Sequence, residues 1–237
     1  MLPLLLAACV DQANGVSSAS SAAATVSAAS SRPSIEFGDA NAISSQAMLK
    51  AQVTEIAYAK NQHLGTGGTL LIGKDAAPLT LTVFLNDASP YSKEFMDEDY
   101  APLLRGPVAD GSLQLAIIIV PFRKYPNSLF ESAALTCAAT QGKGREMHET
   151  LFAMQNRDKA SVLKAAKDLQ LDLPSFNSCI VSPDLQQVRA VQDRLIAQNG
   201  VTLVPTFLFN GTEKFVGLPE YPDLRGMMET KLAAQKK

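Results

Sequence analysis

The sequence holds little of several residue types on which metal binding and catalysis often depend. Among 237 residues there are two histidines, three cysteines and no tryptophan, and the formal net charge is only -2. Zinc or iron–sulfur sites with several His or Cys ligands are therefore disfavoured, and we expect neither a metal nor a cofactor. The near-neutral charge argues against nucleic-acid binding, because no basic excess is available to neutralise phosphates. No apolar run approaches the roughly 20 residues that would span a bilayer.

The chain opens on an apolar stretch that ends in Leu6-Ala-Ala-Cys9. This ending resembles the lipobox of bacterial lipoproteins, in which a peptidase cuts before the cysteine that is then acylated. The resemblance implies that residues 1–8 are the remainder of a signal peptide. Cys9 would then anchor an exported protein in the cell membrane or outer membrane, facing the periplasm or the cell exterior. Because no Lys or Arg precedes the short stretch, an apolar tail without an anchor is the alternative.

Residues 9–43 are predicted to form a flexible tether. From Ser17 to Ser31, 13 of 15 residues are Ser or Ala, and such a segment buries too little apolar surface to offset the entropy of ordering it. An N-terminal helical segment, 44–66, follows, and its amphipathic helix is expected from Ser44 to Gln62. This helix would pack on the folded domain or join copies of the chain into a homo-oligomer. Its apolar residues recur at helical spacing and are Met48, Leu49, Val53, Ile56 and Ala57.

The centre of the chain alternates between strand and helix patterns. Residues 79–85 alternate apolar and polar side chains over most of their length, as a strand does. Residues 113–120 form a nearly continuous apolar run, which is typical of a strand buried on both faces. Between them, residues 91–104 are predicted to form a helix that Gly106-Pro107 ends. A strand, a crossover helix and a second strand make a βαβ unit, whose strands are parallel.

A helical block follows from about Ser128 to Asn199. Its expected breaks are at Gly142/Gly144, at Leu173-Pro174 and at Ser182-Pro183, because Gly and Pro interrupt regular helices.

The last part of the chain returns to strands. Asn210-Gly211 separates two short strand patterns, 206–209 and 214–216, and this dipeptide is the strongest local signal for a hairpin. A final helix is predicted over residues 220–234. The order of elements predicts an α/β protein with a thioredoxin fold and an inserted helical domain. The thioredoxin-like domain would comprise residues 67–127 and 200–237, and the inserted helical subdomain residues 128–199.

Three motifs lie along this part of the chain. They are Gly73-Lys-Asp-Ala-Ala-Pro78 before the βαβ unit, Glu146-Met-His-Glu-Thr-Leu-Phe152 in the helical insertion and Val204-Pro-Thr-Phe207 before the hairpin. The same order is found in DsbA-like thiol oxidoreductases. Gly217, after the hairpin, also fits. The chain therefore resembles this family over roughly residues 70–235, and the resemblance implies a DsbA-like fold with a structural role for His148.

The chain departs from that family at the turn between the first βαβ strand and its helix. The family has Cys-X-X-Cys there, whereas this chain has Ser89-Pro90-Tyr91-Ser92. A helix N-terminus stabilises a thiolate that attacks a disulfide, but a serine oxygen forms no disulfide and is not ionised near neutral pH. We therefore expect no catalytic residues at Ser89 and Ser92. Ser89 suits a helix N-cap and Pro90 suits the first helical position.

The two serines have two other interpretations. Serine catalysis needs an adjacent base, and neither His63 nor His148 is near the serines in sequence. Replacing both cysteines by serine is also the change an experimenter makes to inactivate such a motif, so an engineered origin stays open.

Cys137 and Cys179 form an even pair if Cys9 is lipidated. An even count in an oxidising compartment favours a disulfide between them. Similar pairs occur in some members of the DsbA-like family as a non-catalytic brace, which implies that role here. Two buried free thiols and a redox-active pair are the alternatives, although the pair lacks the helix-start position and the close spacing that tune reactivity.

Val204-Pro205 matches the cis-proline loop that faces the Cys-X-X-Cys turn in the family. There, the backbone of the residue before the proline pairs with an extended substrate peptide, and such strand addition needs main-chain groups, not sulfur. The resemblance therefore implies a peptide-binding groove, with an extended peptide or an envelope protein as partner. Its residues would be Ser89, Pro90, Tyr91, Val204 and Pro205.

Three functions are compatible with these observations. The favoured one is a redox-inactive, lipid-anchored envelope protein that holds a peptide or a protein partner in this groove. The second is a thiol:disulfide oxidoreductase that was engineered to be inactive or that acts through Cys137 and Cys179. The third is a structural or oligomeric scaffold at the cell envelope, with residues 44–62 as its interface.

Overall fold

A six-stranded mixed sheet lies at the centre of the computed structural model, which describes residues 61–219 and 221–235. In the sheet the strands lie in the order β1-β2-β4-β3-β5-β6. Strands β3 and β4 are parallel, as predicted, and the other neighbouring pairs are antiparallel. In chain order the strands are β1 Gln62–Leu64, β2 Leu70–Gly73, β3 Leu79–Leu85, β4 Leu113–Ile119, β5 Thr206–Phe209 and β6 Glu213–Val216.

Seven helices occur in the same described residues. Helix α1 connects the parallel strands β3 and β4, and α2–α6 form the predicted insertion between β4 and β5. Within α1, α-helical turns at Pro90–Phe95 and Ala101–Leu103 alternate with π-helical turns at Met96–Tyr100 and Leu104–Val108. The others are α2 Ser128–Ala139, α3 Gly144–Ala153, α4 Lys159–Asp168, α5 Leu173–Ile180, α6 Pro183–Gln198 and α7 Tyr221–Gln235.

The two parallel strands are the most buried elements of the sheet. Every residue of β4 is buried, as expected for an apolar run covered on both faces. Leu81, Val83 and Leu85 of β3 belong to a large apolar cluster that includes residues of α1, α2 and α3. Phe84 points to the other face, where it packs with Ile118 in a smaller cluster covered by residues of α6. Helices therefore cover both faces of the central strands.

The predicted hairpin between β5 and β6 is confirmed. Asn210 and Gly211 both have positive φ angles, 48° and 72°, and the Thr212 amide donates a hydrogen bond to the Phe209 carbonyl (3.1 Å). Two consecutive left-handed residues give a turn whose twist matches that of the flanking strands. Strand β6 begins at Glu213, one residue earlier than predicted.

The prediction of a helix through residue 62 and a helical segment to residue 66 is wrong at its end. Gln62–Leu64 form strand β1, which pairs with β2. The sequence analysis missed strand β2, whose edge offers main-chain groups for pairing. Residues 62–64 pair with this edge and do not form the helix that the local apolar spacing predicts. The remainder of the predicted helix, the tether 9–43 and Cys9 lie outside the described residues.

The predicted end of the crossover helix before Gly106 is also wrong, because α1 continues to Val108. Pro107 has no N–H to give to a regular α-helical turn. Gly and Pro disfavour the regular α-helical pattern. The last turn of α1 does not follow that pattern, because it is a wider, π-helical turn.

The helical insertion has one break that the sequence did not reveal. Residues 154–158 separate α3 from α4 without a Gly or a Pro. Asp158 is the N-cap of α4 and accepts a hydrogen bond from the Ser161 amide (2.7 Å). The breaks expected near Gly142, Pro174 and Pro183 are confirmed. None of the helices in residues 61–219 and 221–235 combines the length and the apolar character that crossing a bilayer requires.

Candidate functional site

Ser89–Ser92, here called the serine turn, begins helix α1. Ser89 has extended backbone angles (φ -86°, ψ 125°), and its side chain accepts a hydrogen bond from the Ser92 amide (3.5 Å). Pro90 occupies the first helical position, where its missing N–H costs nothing because the first amides of a helix have no partner within it. Ser89 is therefore the N-cap of α1, as its sequence context predicts.

The second hydroxyl of the serine turn also faces a backbone amide. Ser92 is fully buried, and its Oγ accepts a hydrogen bond from the Asn86 amide (3.2 Å). The buried Asn86 side chain in turn donates to the Val120 carbonyl (2.8 Å) and accepts from the Ala88 amide (3.0 Å). This network fixes the serine turn to the end of β4. Sequence reasoning missed Asn86, although Asn before a helix start is a common side-chain acceptor in turns.

The loop before β5 reaches the same end of the sheet. The Val204–Pro205 peptide bond is cis, which agrees with the resemblance noted in the sequence. Phe84 pairs with Thr206 in the antiparallel register of β3 and β5. The end of β3 that leads into the serine turn therefore lies beside the start of β5. The Thr206 hydroxyl donates to the Leu203 carbonyl (2.8 Å) and holds the loop.

Each of these two segments has an exposed apolar side chain. Tyr91 is 62% exposed and Leu203 is 63% exposed. Among the described residues, Val204 takes part in no hydrogen bond. Exposed apolar side chains beside unpaired main-chain groups are suited to the addition of an extended strand.

Asp87, two residues before Ser89, belongs to a buried charged cluster. Asp87 and Glu131 of α2 are 3% and 2% exposed, and their carboxyl groups lie within hydrogen-bonding reach of each other. Arg157 Nε lies 3.6 Å from Glu131 Oε1. Burial, together with the hydrogen bond and the charge of Asp87, raises the pKa of Glu131 to about 9, and burial raises the pKa of Asp87. At neutral pH the two carboxyls therefore hold a proton between them.

Neither histidine supplies a base to the serine turn. His148 is fully buried against the rings of Tyr100 (centroids 5.5 Å apart) and Phe152 (5.0 Å). Burial lowers its pKa to about 3, so it stays neutral, in agreement with the structural role that the sequence implied. His63 lies 3.6 Å from Asp75. No group of three or more metal-ligating side chains occurs in the part of the chain that the structure describes.

Comparison with known proteins decides the family. The thioredoxin family profile matches residues 65–229, more than half of the chain. The chain belongs to the thioredoxin family. Among curated proteins, no match to it is found.

Solved structures with the same fold include DsbA-like members of the thioredoxin family. A thioredoxin-like oxidoreductase from Silicibacter pomeroyi is 22% identical, with a TM-score of 0.62, and the match covers 72% of this chain and 94% of that one. BdbD from Bacillus subtilis is 16% identical, with a TM-score of 0.63 and coverages of 72% and 96%. Wolbachia pipientis α-DsbA1 is 14% identical, with a TM-score of 0.62 and coverages of 73% and 94%. The DsbA-like fold predicted from the sequence is confirmed.

Two cysteines of this thioredoxin-family chain form a disulfide within the helical insertion. Cys137 of α2 and Cys179 of α5 are joined by a disulfide with a Cα–Cα distance of 5.8 Å. Of the three alternatives for this pair, the bond contradicts two free thiols and agrees with the disulfide that the even count favoured. Cys137 is fully buried, which keeps its sulfur away from attacking thiolates.

Proposed function

We propose that this protein is a redox-inactive, DsbA-like member of the thioredoxin family that binds an extended peptide or a protein partner. The binding groove would be formed by the serine turn and the loop before β5, with Ser89, Pro90, Tyr91, Val204 and Pro205 in contact. The observation that carries the proposal is Val204, whose main-chain groups make no hydrogen bond among the described residues.

Thiol chemistry at the serine turn is disfavoured by the atoms present. The Oγ atoms of Ser89 and Ser92 face backbone amides, and oxygen cannot replace sulfur in thiol–disulfide exchange. The remaining pair, Cys137 and Cys179, is bonded within the insertion, with Cys137 fully buried. Exchange by that pair would have to begin at the half-buried Cys179, because Cys137 is inaccessible.

Binding by strand addition is supported by the main chain and by the side chains around it. An added peptide strand gains main-chain hydrogen bonds from an unpaired segment, and apolar side chains beside it provide contact area. Val204 supplies the former, and Tyr91 and Leu203, each more than 60% exposed, supply the latter. Neither contribution needs a cysteine.

Export and a lipid anchor at Cys9 are part of the same proposal. They are supported by the lipobox-like sequence and by the disulfide, since disulfides persist mainly in oxidising compartments. Labelling of cells with a radioactive fatty acid should mark the full chain and not its Cys9→Ser variant. Equal labelling of both would show that the acyl chain is absent or is attached elsewhere.

Peptide binding is tested with an unfolded ligand. The ligand is a second protein that has been reduced and carboxymethylated so that it cannot refold. Leu203→Asp should weaken binding about tenfold or more, because a charge then occupies the apolar contact. Val181, which is 77% exposed at the end of α5, offers a matched control, and Val181→Asp should bind as the unchanged chain does. Equal affinity of both variants, or no binding by the unchanged chain, would refute the groove. Oxidation of a dithiol peptide that is lost in Cys137→Ser would instead favour an oxidoreductase.

A further inference from the structure

A second groove runs between helices α1 and α3, next to the serine turn. It has a volume of about 390 Å³. On α1 it spans Lys93 to Leu104, which is about 16 Å of helix at 1.5 Å per residue. Its floor is largely apolar and is formed by Met96, Ala101, Leu104, Phe152 and Ala153. We call it the α1–α3 groove.

Tyr100 lies between the apolar floor of the α1–α3 groove and its charged residues. It is 4% exposed and lines the groove, and its hydroxyl interacts with Glu149 and Arg145, which line the groove as well. Tyr100 ends a π-helical turn of α1, and such turns are frequent at functional sites. An occupant that buries apolar side chains would cover the floor of this groove.

Charges of both signs form the rims of the groove. On α1, Lys93 Nζ lies 3.5 Å from Asp97 Oδ2, and on α3, Arg145 Nε lies 2.7 Å from Glu149 Oε1. All four residues line the groove. A segment with an apolar face and flanking charges of both signs matches these rims better than a purely apolar or a strongly charged one does.

The described chain begins at one end of this groove. The Gln62 side chain donates to Glu146 Oε2 (2.7 Å) and accepts from the Arg145 amide (2.6 Å). Both bonds hold the first strand at the start of α3, and Arg145 is itself a groove residue. The described part of the chain therefore begins beside the groove, and a short connection would give the preceding residues a high effective concentration there.

We propose that the α1–α3 groove binds residues 48–57 of the same chain. This segment has the required composition: its apolar residues recur at helical spacing, and Lys50 and Glu55 supply both charge signs. Ten residues at helical rise span about 14 Å, which matches the groove. The apolar side chains for the floor are Met48, Leu49, Val53, Ile56 and Ala57.

Occupation of the groove would connect the N-terminal part of the chain to the candidate site. Lys93, at one end of the groove, directly follows Ser92 of the serine turn. A segment bound along α1 would set the direction in which the tether leaves the domain. The serine turn and the loop before β5 would then keep a fixed orientation relative to the proposed N-terminal anchor.

The proposal is tested on the full chain by chemical footprinting. Met96 is half-buried on the groove floor, and its rate of oxidation by peroxide is measured by peptide mass spectrometry. The half-buried Met227 of α7 is the internal reference. In Val53→Asp/Ile56→Asp the segment should leave the groove, so Met96 oxidation and tryptic cleavage after Lys50 should each accelerate about fivefold or more. Ala51→Asp/Thr54→Asp adds the same charge on the opposite side of the helical projection and should change neither rate.

Three results would overturn the proposal. Equal Met96 oxidation in the unchanged chain and in Val53→Asp/Ile56→Asp would show that the segment does not occupy the groove. Equal acceleration in the control Ala51→Asp/Thr54→Asp would show a non-specific charge effect. Protection of Met96 that disappears on dilution would show that the segment comes from a second copy of the chain.

Discussion

Asp87, in the loop before α1, and Glu131, in the first turn of α2, bring two carboxyl groups together inside the protein. Both residues are at least 97% buried, and Arg157 is the cation that faces them. One guanidinium cannot balance two buried carboxylates, so one carboxyl keeps its proton at neutral pH. The shared proton links the segment that leads into the serine turn to the helical insertion.

This pair makes stability depend on pH in a definite direction. The pKa of Glu131 is about 9 in the folded protein and 4.5 for an ordinary glutamate, so the folded state holds a proton that the unfolded state releases. The stabilising contribution is complete below about pH 4.5 and is lost as the pH rises toward 9. Glu131→Gln keeps a neutral hydrogen-bond donor, so we expect its unfolding free energy at pH 8 to be unchanged or about 1–2 kcal/mol higher in urea titrations.

A matched control separates this effect from surface charge. Asp168→Asn removes an exposed partner of Lys164 and should change stability by less than about 0.5 kcal/mol. A loss of about 3 kcal/mol or more in Glu131→Gln would show that Glu131 is ionised and paired with Arg157 at pH 8.

Acid should destabilise the protein through His148. Its pKa is about 3 in the folded protein and 6.5 for an ordinary histidine, so its contribution is present above pH 6.5 and is lost as the pH falls toward 3. The unfolding free energies of His148→Leu and the unchanged chain should be measured at pH 7.5 and at pH 4.5. Between these values the difference should shift by about 2–3 kcal/mol in favour of His148→Leu. His63→Leu, at a partly exposed position, is the control and should leave the acid-induced loss in place. Parallel pH profiles for His148→Leu and the unchanged chain would contradict the prediction.

The disulfide should stabilise the insertion substantially. Cys137 and Cys179 are 42 positions apart, and closing a loop of this length is worth about 4 kcal/mol in the chain-entropy model. We expect Cys137→Ala/Cys179→Ala to lose about 2–4 kcal/mol in a denaturant titration. Reduction of the unchanged chain should lower the unfolding free energy by a similar amount. No loss in either experiment would mean that the bond does not stabilise the insertion.

Gly144, at the start of α3, is required by close packing. A Cβ there would lie 2.5 Å from Leu70 Cδ1 and 2.8 Å from Ala139 Cβ. Gly144→Ala should therefore cost about 1–3 kcal/mol, measured as unfolding free energy. At Gly106 a Cβ meets no atom within 4 Å, so Gly106→Ala should be neutral or slightly stabilising. Similar effects at the two positions would show that space at Gly144 is not the constraint.

Restoring sulfur should restore thiol chemistry if the scaffold of the serine turn is otherwise intact. Ser89 is at the N-terminus of α1, where the helix lowers the pKa of a thiol. Ser89→Cys/Ser92→Cys should oxidise a dithiol peptide, whereas the unchanged chain should not. Ser89→Cys alone is the control, since it lacks the resolving thiol. Turnover by the unchanged chain would refute redox inactivity, and no gain in the double variant would show that substrates do not reach the turn.

Sequence alone determined the features that depend on neighbouring residues. Ser89 and Pro90 specify a helix start, Asn210-Gly211 specifies a hairpin, and the apolar run of β4 specifies a strand covered on both faces. Each follows from backbone geometry or side-chain alternation within a few residues. Tertiary structure decided what depends on distant partners: β1 formed because β2 offered an edge, and Cys137 bonded Cys179 because α2 and α5 pack together. Asp87 and Glu131 share a proton only because folding buries them side by side, and no local pattern encodes the loss of water that raises their pKa values.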